Sequence, residues 1–205
     1  MEIVLCRIND SDISYSKLEK YLPKIDKLKQ AQIKKYRNDQ DKIRSLVAHL
    51  IVYNFFGGNI NYQYNNGKAY NINDDVYFSI SHSGDYVAVA FSKHEIGIDI
   101  ERIGLIDNSM KDMFCSKIDL DNFNDPTEVW CLKESYFKKN GIGSFNDLRK
   151  TRFSKKNDKI ICLDDDKTHF NTFVIDKNYM CAVACNENNE INLNYINVAD
   201  IIKEC

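Results

Sequence analysis

Residues 96–102 read IGIDIER, and this alternation is the clearest structural signal in the chain. Successive side chains of an extended strand point to opposite faces, so the three isoleucines lie on one side and Gly97, Asp99 and Glu101 lie on the other. Asp and Glu are poor strand formers, and two carboxylates on one face of an apolar strand need a partner, for which a hard divalent cation is the simplest candidate. The stretch therefore predicts a strand that carries part of a metal site.

The segments around this strand predict an α+β fold. A first strand is expected at about residues 2–8, a helical region follows at about 16–56, and strands then continue to Ile103. The same order repeats afterwards, with a helical region at about 107–140 and strands up to residue 196. A repeated order of elements suggests an internal duplication.

Two pairs of strands support the repeat at the level of residues. Residues 86–90 and 95–99 resemble residues 179–183 and 190–194, in the same order. A chance similarity between apolar strands is the alternative. A duplication predicts a pseudo-dimer of two similar α/β subdomains, related by a pseudo-twofold axis.

The predicted subdomains are residues 1–103 and 104–205. The second copy has Asn194 and Ile196 where the first has its two carboxylates. We therefore expect a single active site between the two halves.

The composition excludes some classes of protein. The 205 residues carry a formal charge of −2 at pH 7, which argues against wholesale attraction to nucleic acid or to a membrane surface. The N-terminus lacks the apolar run of a signal peptide and no stretch is long enough to span a membrane, so we expect a cytoplasmic protein. Seven cysteines include no Cys-x-x-Cys pair, and we expect them to be reduced core residues.

A second motif, WCLKESYFK, occupies residues 130–138. An N-cap residue at Asp125, a proline at 126 and Glu128 three residues after the cap predict that a helix begins here, and Gly141 is expected to end it. The motif therefore lies on a helix about thirty residues after the IGIDIER strand.

One face of this helix is predicted to mix aromatic and charged side chains. At 100° per residue, an apolar face holds Val129, Leu132 and Tyr136, and the opposite arc holds Trp130, Lys133, Glu134, Phe137 and Lys138. Taken alone, the helix favours a solvated face with a routine pair between Glu134 and Lys138. Together, the strand and the helix supply three carboxylates and two lysines, which could instead surround a metal-bound pyrophosphate. Gly97 would leave room for the phosphate.

Further candidate anion contacts lie upstream. Residues 79–84, SISHSG, place an imidazole and several hydroxyls at a strand end, where a structural histidine and a phosphate contact are equally plausible. Arg44 belongs to a locally basic helical region, and Lys68 lies in a predicted turn. Either side chain could meet a phosphate group.

The ordered set of Ser81-His82-Ser83, GIDIE at 97–101 and W-x-x-K-E-S-x-x-K at 130–138 resembles the 4′-phosphopantetheinyl transferases of the surfactin-synthetase-activating type. The resemblance extends over nearly the whole chain and implies a pseudo-dimeric α+β fold that binds coenzyme A and Mg²⁺, or Mn²⁺, between its halves. It further implies transfer of the 4′-phosphopantetheine arm from coenzyme A to a serine of an apo acyl or peptidyl carrier protein, with release of adenosine 3′,5′-bisphosphate.

The resemblance assigns roles to the matching residues. It implies that Asp99, Glu101 and Glu134 are metal ligands, that Glu134 or a metal-bound water accepts the proton of the carrier serine, and that Lys138 acts on the leaving group, so Glu134, Lys138 and Asp99 are the expected catalytic residues. The expected contacts to coenzyme A are Arg44, Lys68, Ser81, His82, Lys133 and Lys138.

The resemblance also implies that a carrier protein docks near residues 103–126, where basic and apolar side chains would meet its acidic helix. We expect a monomer because both halves lie in one chain. Two departures from the family pattern are Ala69, where proline is frequent, and Asp119, where a sometimes catalytic glutamate occurs. A metal-dependent phosphoesterase and a non-catalytic carrier-protein-binding homologue are the alternatives.

Overall fold

The structure of the chain, a computed structural model, describes residues 1–8, 13–65, 68–107, 109–141, 145–157, 159–187 and 190–205. Within these ranges the side chains of 62, 64, 65, 68, 69, 145 and 146 are not described. The predicted role of the Lys68 side chain, and the effect of Ala69 beside it, therefore lie outside the described part of the chain.

Most helices lie in the two helical regions predicted from the sequence, whereas the last two lie beyond them. They are α1 (Tyr15–Leu18), α2 (Lys27–Lys35), α3 (Asp39–Phe55), α4 (Lys111–Phe114), α5 (Lys117–Asn122), α6 (Pro126–Asn140), α7 (Phe145–Leu148) and α8 (Val198–Lys203), with a 3-10 helix at Glu19–Lys24. Pro23 lies in the 3-10 helix, which separates α1 from α2. The carboxylate of Asp26 caps α2 by accepting the N–H of Leu28 at 2.9 Å.

Strands fill the intervals between the helical regions. They are β1 (Glu2–Arg7), β2 (Tyr62–Asn65), β3 (Lys68–Asn71), β4 (Val76–Ser83), β5 (Tyr86–Ser92), β6 (Ile96–Arg102), β7 (Phe153–Lys156), β8 (Lys159–Cys162), β9 (His169–Ile175), β10 (Tyr179–Cys185) and β11 (Asn192–Asn197). One sheet has the order β11-β1-β5-β4-β3-β2, a second has β6-β10-β9, and β7 pairs with β8. The mixed α+β fold predicted from the sequence is confirmed.

The two large sheets exchange strands between the halves of the sequence. β6, which ends the first half, pairs antiparallel with β10, and Asp99 lies opposite Ala182. β11, which ends the second half, pairs parallel with β1, and Val4 lies opposite Asn194. The division at residue 103 stays a prediction, and strand pairing crosses it in both directions.

Equivalent positions of the repeat meet where the sheets pack together. The rings of Tyr86 and Tyr179 lie edge to face, with their centroids 4.9 Å apart. The hydroxyl of Ser92 and the thiol of Cys185 lie 3.7 Å apart in the interior. Contacts between equivalent residues are what a pseudo-twofold axis between β5 and β10 would produce.

The apolar side chains form three clusters. One lies between α3 and the six-stranded sheet, a second lies between the two large sheets, and a third lies between α6 and the three-stranded sheet. Ile98 and Ile100 are fully buried in the second cluster, which confirms the alternation of β6. Six of the cysteines are buried and free, as expected. No helix within the described ranges is long and apolar enough to cross a membrane.

Gly97 brings α6 close to β6. A Cβ atom at this position would lie 1.9 Å from the carbonyl oxygen of Ser135 and 2.5 Å from the backbone nitrogen of Lys139. The prediction that Gly97 leaves room for phosphate is wrong, because the backbone of α6 fills that space. The glycine instead sets the short distance between the two elements that carry the candidate site.

Candidate active site

Asp99 is the most buried carboxylate of the predicted metal set. Asp99 is 3% exposed. Its Oδ1 accepts hydrogen bonds from the Ser81 hydroxyl at 2.8 Å and from the Lys138 ammonium at 2.7 Å. Its Oδ2 is buried and has no hydrogen-bond partner within the described structure. A buried carboxylate oxygen without a partner is unfavourable, so this atom is suited to receive a cation or a donor from a ligand.

Glu101 and Glu134 bring two further carboxylates to the same place. Burial raises the pKa of Glu101 above its usual value, and the charges of Asp99 and Glu134 add to the effect, although the Ser83 hydroxyl that donates to Oε2 at 2.7 Å opposes it. Burial and then the charge of Asp99 also raise the pKa of Glu134. Burial is the main cause of both raised pKa values, and repulsion between the neighbouring carboxylates adds to it.

Lys138 supplies the positive charge that faces these acids. Burial disfavours its charged form, but the charge of Asp99 and the hydrogen bond to it outweigh burial and raise the pKa of Lys138. Its ammonium group also donates to the Ser81 hydroxyl at 3.0 Å. Because Lys138 reaches across to β6, the interpretation of this helix face as merely solvated is wrong for this residue.

A cavity of about 280 Å³ joins these groups. It is lined by Ile80, Ser81, His82, Asp99, Glu101, Trp130, Glu134 and Lys138. The ring of Trp130 packs edge to face on Phe114, with centroids 5.1 Å apart, and so forms one wall. The strand, the helix and the SISHSG segment, which are separate in the sequence, meet at this cavity.

His82 and Arg44 extend the site at the end of β4. Desolvation, followed by the positive charge of Arg44, lowers the pKa of His82 below its usual value. The Arg44 guanidinium donates to the Gly84 carbonyl at 2.7 Å and pairs with Asp41 at 2.7 Å. The structure thus brings Arg44 and His82 together, in an environment that an anion would improve.

Lys133 lies away from this cavity, which differs from the prediction. Its side chain is fully buried, and its ammonium group donates to Asp119 at 2.8 Å and to the carbonyls of Leu148 and Thr151 at 2.7 and 2.5 Å. At 100° per residue, Lys133 is only 40° from Val129, so it belongs to the inward face of α6. With three acceptors around it, Lys133 has no donor to offer to coenzyme A.

Asp119 is also a buried structural group. One carboxylate oxygen accepts from the backbone N–H of Ser116 and from Lys133, and the other accepts from the N–H of Phe153 at 2.7 Å. These bonds connect α5, α6 and β7. A side chain with 0% exposure and three donors is poorly placed to accept a proton from a substrate.

The donor set fits a divalent cation, although it is not gathered into a cluster. Within the described residues, no three His, Cys, Asp or Glu side chains lie close enough together to hold a metal ion. The unpartnered Oδ2 of Asp99 and the mutual repulsion of the three carboxylates nevertheless favour a cation here, and all donor atoms are hard oxygens. Lys138 neutralises Asp99 in this arrangement, so a bound cation would have to share that carboxylate with it.

Sequence reasoning missed the role of the hydroxyls on β4. Ser83 was seen only as part of a phosphate-binding turn, whereas its side chain faces Glu101. The signal was present in the sequence, since Ser79, Ser81 and Ser83 alternate as strictly as the acids of β6. The partner strand could not be identified without the fold.

Comparisons with known proteins agree with the motifs. The model of the 4′-phosphopantetheinyl transferase superfamily matches residues 95–184, which include both β6 and α6. The 4′-phosphopantetheinyl transferase gsp of Aneurinibacillus migulanus is 35% identical over 138 residues, which are 59% of this chain and 58% of that protein. The 4′-phosphopantetheinyl transferase Sfp of Bacillus subtilis (strain 168) is 25% identical over 197 residues, or 85% of this chain and 88% of that protein.

A third relative, a 4′-phosphopantetheinyl transferase ffp of Bacillus subtilis, is 36% identical over 78 residues, about a third of each chain. The match to gsp spans less than two thirds of that protein, whereas the match to Sfp spans most of it. The region covered by the family model also contains the acids and the lysine that line the cavity. Residues 95–184 therefore match the 4′-phosphopantetheinyl transferase superfamily, and the chain is similar to Sfp-like transferases.

Proposed function

We propose that this protein transfers the 4′-phosphopantetheine group of coenzyme A to a serine of an apo carrier protein and releases adenosine 3′,5′-bisphosphate. The observation that carries the proposal is the cavity in which Asp99, Glu101 and Glu134 face Lys138, beside His82. Acids for a cation, a lysine for phosphate and a partly exposed histidine suit a metal-bound pyrophosphate with a further phosphate. The names of the relatives support the same reaction.

The three carboxylates would hold a Mg²⁺ or Mn²⁺ ion, which supplies charge stabilisation to the pyrophosphate of coenzyme A when it is bound. Asp99 offers the buried Oδ2, which has no hydrogen-bond partner among the described residues. Burial, with repulsion between the carboxylates added to it, raises the pKa values of Glu101 and Glu134, and that ion would favour their charged forms. The three carboxylates are therefore expected to bind a divalent cation favourably.

Arg44 and His82 would receive the 3′-phosphate of coenzyme A. The arginine is oriented by Gly84 and Asp41, and a guanidinium held in one orientation is well suited to a phosphate. A phosphate beside His82 would favour the protonated imidazole, which the neighbouring arginine disfavours. These contacts would select coenzyme A over a dephosphorylated analogue.

In the transfer step, the carrier serine Oγ forms a bond to the phosphorus that carries the pantetheine arm. The bond from this phosphorus to the bridging oxygen breaks, and its electron pair leaves with adenosine 3′,5′-bisphosphate. Glu134 accepts the serine proton, and its raised pKa brings it closer to the working pH of a general base. Lys138 donates to the departing phosphate oxygen, since this residue lines the cavity and its ammonium group pairs with Asp99.

The carrier protein is proposed to dock near residues 103–126. Leu105 is 62% exposed and Met113 is 54% exposed in this segment, and Lys117 is exposed nearby. The exposed apolar side chains would pack against the carrier protein, and Lys117 would pair with an acid of its helix. Met113→Glu is expected to raise KM for the carrier protein while KM for coenzyme A stays unchanged.

We also propose that the active protein is a monomer. Size-exclusion chromatography with light scattering tests this.

The central experiment incubates the protein with coenzyme A, Mg²⁺ and an apo carrier protein, followed by intact-mass analysis of the carrier. Transfer adds the mass of one phosphopantetheine arm to the carrier serine and releases one adenosine 3′,5′-bisphosphate. Cleavage of coenzyme A without a labelled carrier would instead identify a phosphoesterase, and binding of the carrier without either product would identify a non-catalytic homologue. Glu134→Gln should abolish labelling, whereas Glu204→Gln, an exposed acid at the opposite end of the chain, should not.

A further inference from the structure

Three serines of β4 face the free edge of β6. They alternate along β4, so their side chains point the same way. Their hydroxyl oxygens accept hydrogen bonds from the backbone N–H groups of alternate residues of β6, from Ile98 to Ser79 at 3.1 Å, from Ile100 to Ser81 at 3.3 Å and from Arg102 to Ser83 at 3.2 Å. β6 is the edge strand of its sheet, so the serines supply the acceptors that another strand would supply.

Two of these serines also hold a carboxylate of the candidate site. The Ser81 hydroxyl donates to Asp99 Oδ1 at 2.8 Å, and the Ser83 hydroxyl donates to Glu101 Oε2 at 2.7 Å. Among the described contacts, Ser79 makes the edge bond to Ile98 but no bond to an acid. Ser81 and Ser83 therefore bind both the edge of β6 and an acid, whereas, in the described part of the chain, Ser79 binds only the edge.

A hydroxyl group has one proton and two lone pairs. Ser81 uses all three, because it donates to Asp99 and accepts from both the Ile100 N–H and the Lys138 ammonium. It has no proton left for a phosphate of coenzyme A unless Asp99 is released. The sequence-based expectation that Ser81 contacts coenzyme A is therefore not supported by its surroundings.

We propose that Ser81 and Ser83 are positioning residues that fix Asp99 and Glu101 for cation binding, each through the hydroxyl that also closes the edge of β6. This inference rests on the proposed function, in which the two acids hold a divalent cation. A carboxylate held by a hydroxyl keeps one orientation, and loss of such a supporting bond typically weakens metal binding. The bond to the backbone of β6 fixes the hydroxyl itself, so strand pairing and acid orientation are coupled.

The test is the affinity for Mn²⁺, measured by electron paramagnetic resonance of the free ion, with and without coenzyme A. Ser83→Ala is expected to weaken Mn²⁺ binding about tenfold or more, and Ser83→Thr, which keeps the hydroxyl, should restore it. Ser79→Ala is the matched control, since it removes the same kind of edge bond without touching an acid. It should lower the thermal unfolding midpoint about as much as Ser83→Ala does and leave Mn²⁺ affinity unchanged.

Ser81→Ala separates positioning from substrate contact. We expect it to lower kcat and Mn²⁺ affinity while KM for coenzyme A stays near the wild-type value, and a rise in that KM alone would overturn the assignment for Ser81. Equal Mn²⁺ affinities of Ser83→Ala and Ser79→Ala would overturn the assignment for Ser83, while carrier labelling by the wild type would leave the proposed function standing. Wild-type protein that binds no Mn²⁺ under either condition and labels no carrier would overturn both.

Discussion

The buried pair of Lys133 and Asp119 offers a direct test of how this structure is held together. Both side chains are 0% exposed, and the ammonium group also holds two backbone carbonyls next to α7. Lys133→Met keeps the length of the side chain and removes its charge and its donors. Asp119 would then remain as a buried anion without its cation, still bonded to the N–H groups of Ser116 and Phe153.

The expected loss is large, because breaking a buried ion pair from one side leaves a buried charge and typically costs about 3–5 kcal/mol. With a slope of about 2 kcal/mol/M in urea, the unfolding midpoint should fall by roughly 1.5–2.5 M. Lys150→Met is the matched control, since Lys150 pairs with Asp147 at 3.2 Å but has a side chain that is 76% exposed. Loss of that surface pair should change the stability by about 1 kcal/mol or less.

Urea unfolding followed by circular dichroism measures both variants. A loss below about 1 kcal/mol for Lys133→Met, the level of an exposed pair, would refute the reasoning. The double variant with Asp119→Leu should recover part of the lost stability, since it removes the unpaired charge. None of the variants that stay folded should raise KM for coenzyme A. A selective rise in that KM would show that Lys133 contacts coenzyme A.

Four further predictions concern the site itself. Gly97→Ala should lower both stability and kcat, because its methyl group would lie 1.9 Å from the Ser135 carbonyl oxygen, and unchanged melting and kinetics would show that α6 does not pack this closely. Lys138→Met should lower kcat by about 10²–10³ if it stabilises the leaving group, as single-turnover carrier labelling would reveal. Folding raises the pKa of Glu101, so the metal-free protein loses stability as pH rises from the unfolded-state pKa of this residue to its folded-state pKa. Glu101→Gln should therefore raise the metal-free melting temperature at neutral pH. The same variant should remove the stabilisation by Mg²⁺. Protonation of His82 should accompany binding of coenzyme A, so affinity should weaken as pH rises above the lowered pKa of His82 in the free protein, and calorimetry with His82→Asn should show a weaker trend.

The sequence predicted the elements of this fold well, because their patterns are local. The alternation in β6 and the cap, proline and glycine that bound α6 each specify one element without help from the rest of the chain. The acids of the site were found for the same reason, since a polar face on an apolar strand needs an explanation wherever the strand lies.

The failures arose where distant segments meet. The face of Lys133 is decided by Asp119 and by backbone carbonyls that follow it by fifteen or more residues, so its charge alone suggested a ligand contact. The role of Gly97 depends on how closely a helix backbone approaches, which no strand pattern reveals. The exchange of β6 and β11 between the sheets was likewise invisible, because strand pairing partners are not encoded within a single strand.

That exchange has a consequence for synthesis on the ribosome. β1 is among the first segments to emerge, but its parallel partner β11 ends at Asn197, roughly 190 residues later. Translation from β6 to β11 takes roughly 5–20 s. The partner edge of β6 stays unpaired until β10 is made, and one edge of β1 stays unpaired until β11 is made. Contacts between such distant segments also slow the folding of the released chain. The nascent protein therefore keeps one edge of β1 open to edge-to-edge aggregation until its last strand is made.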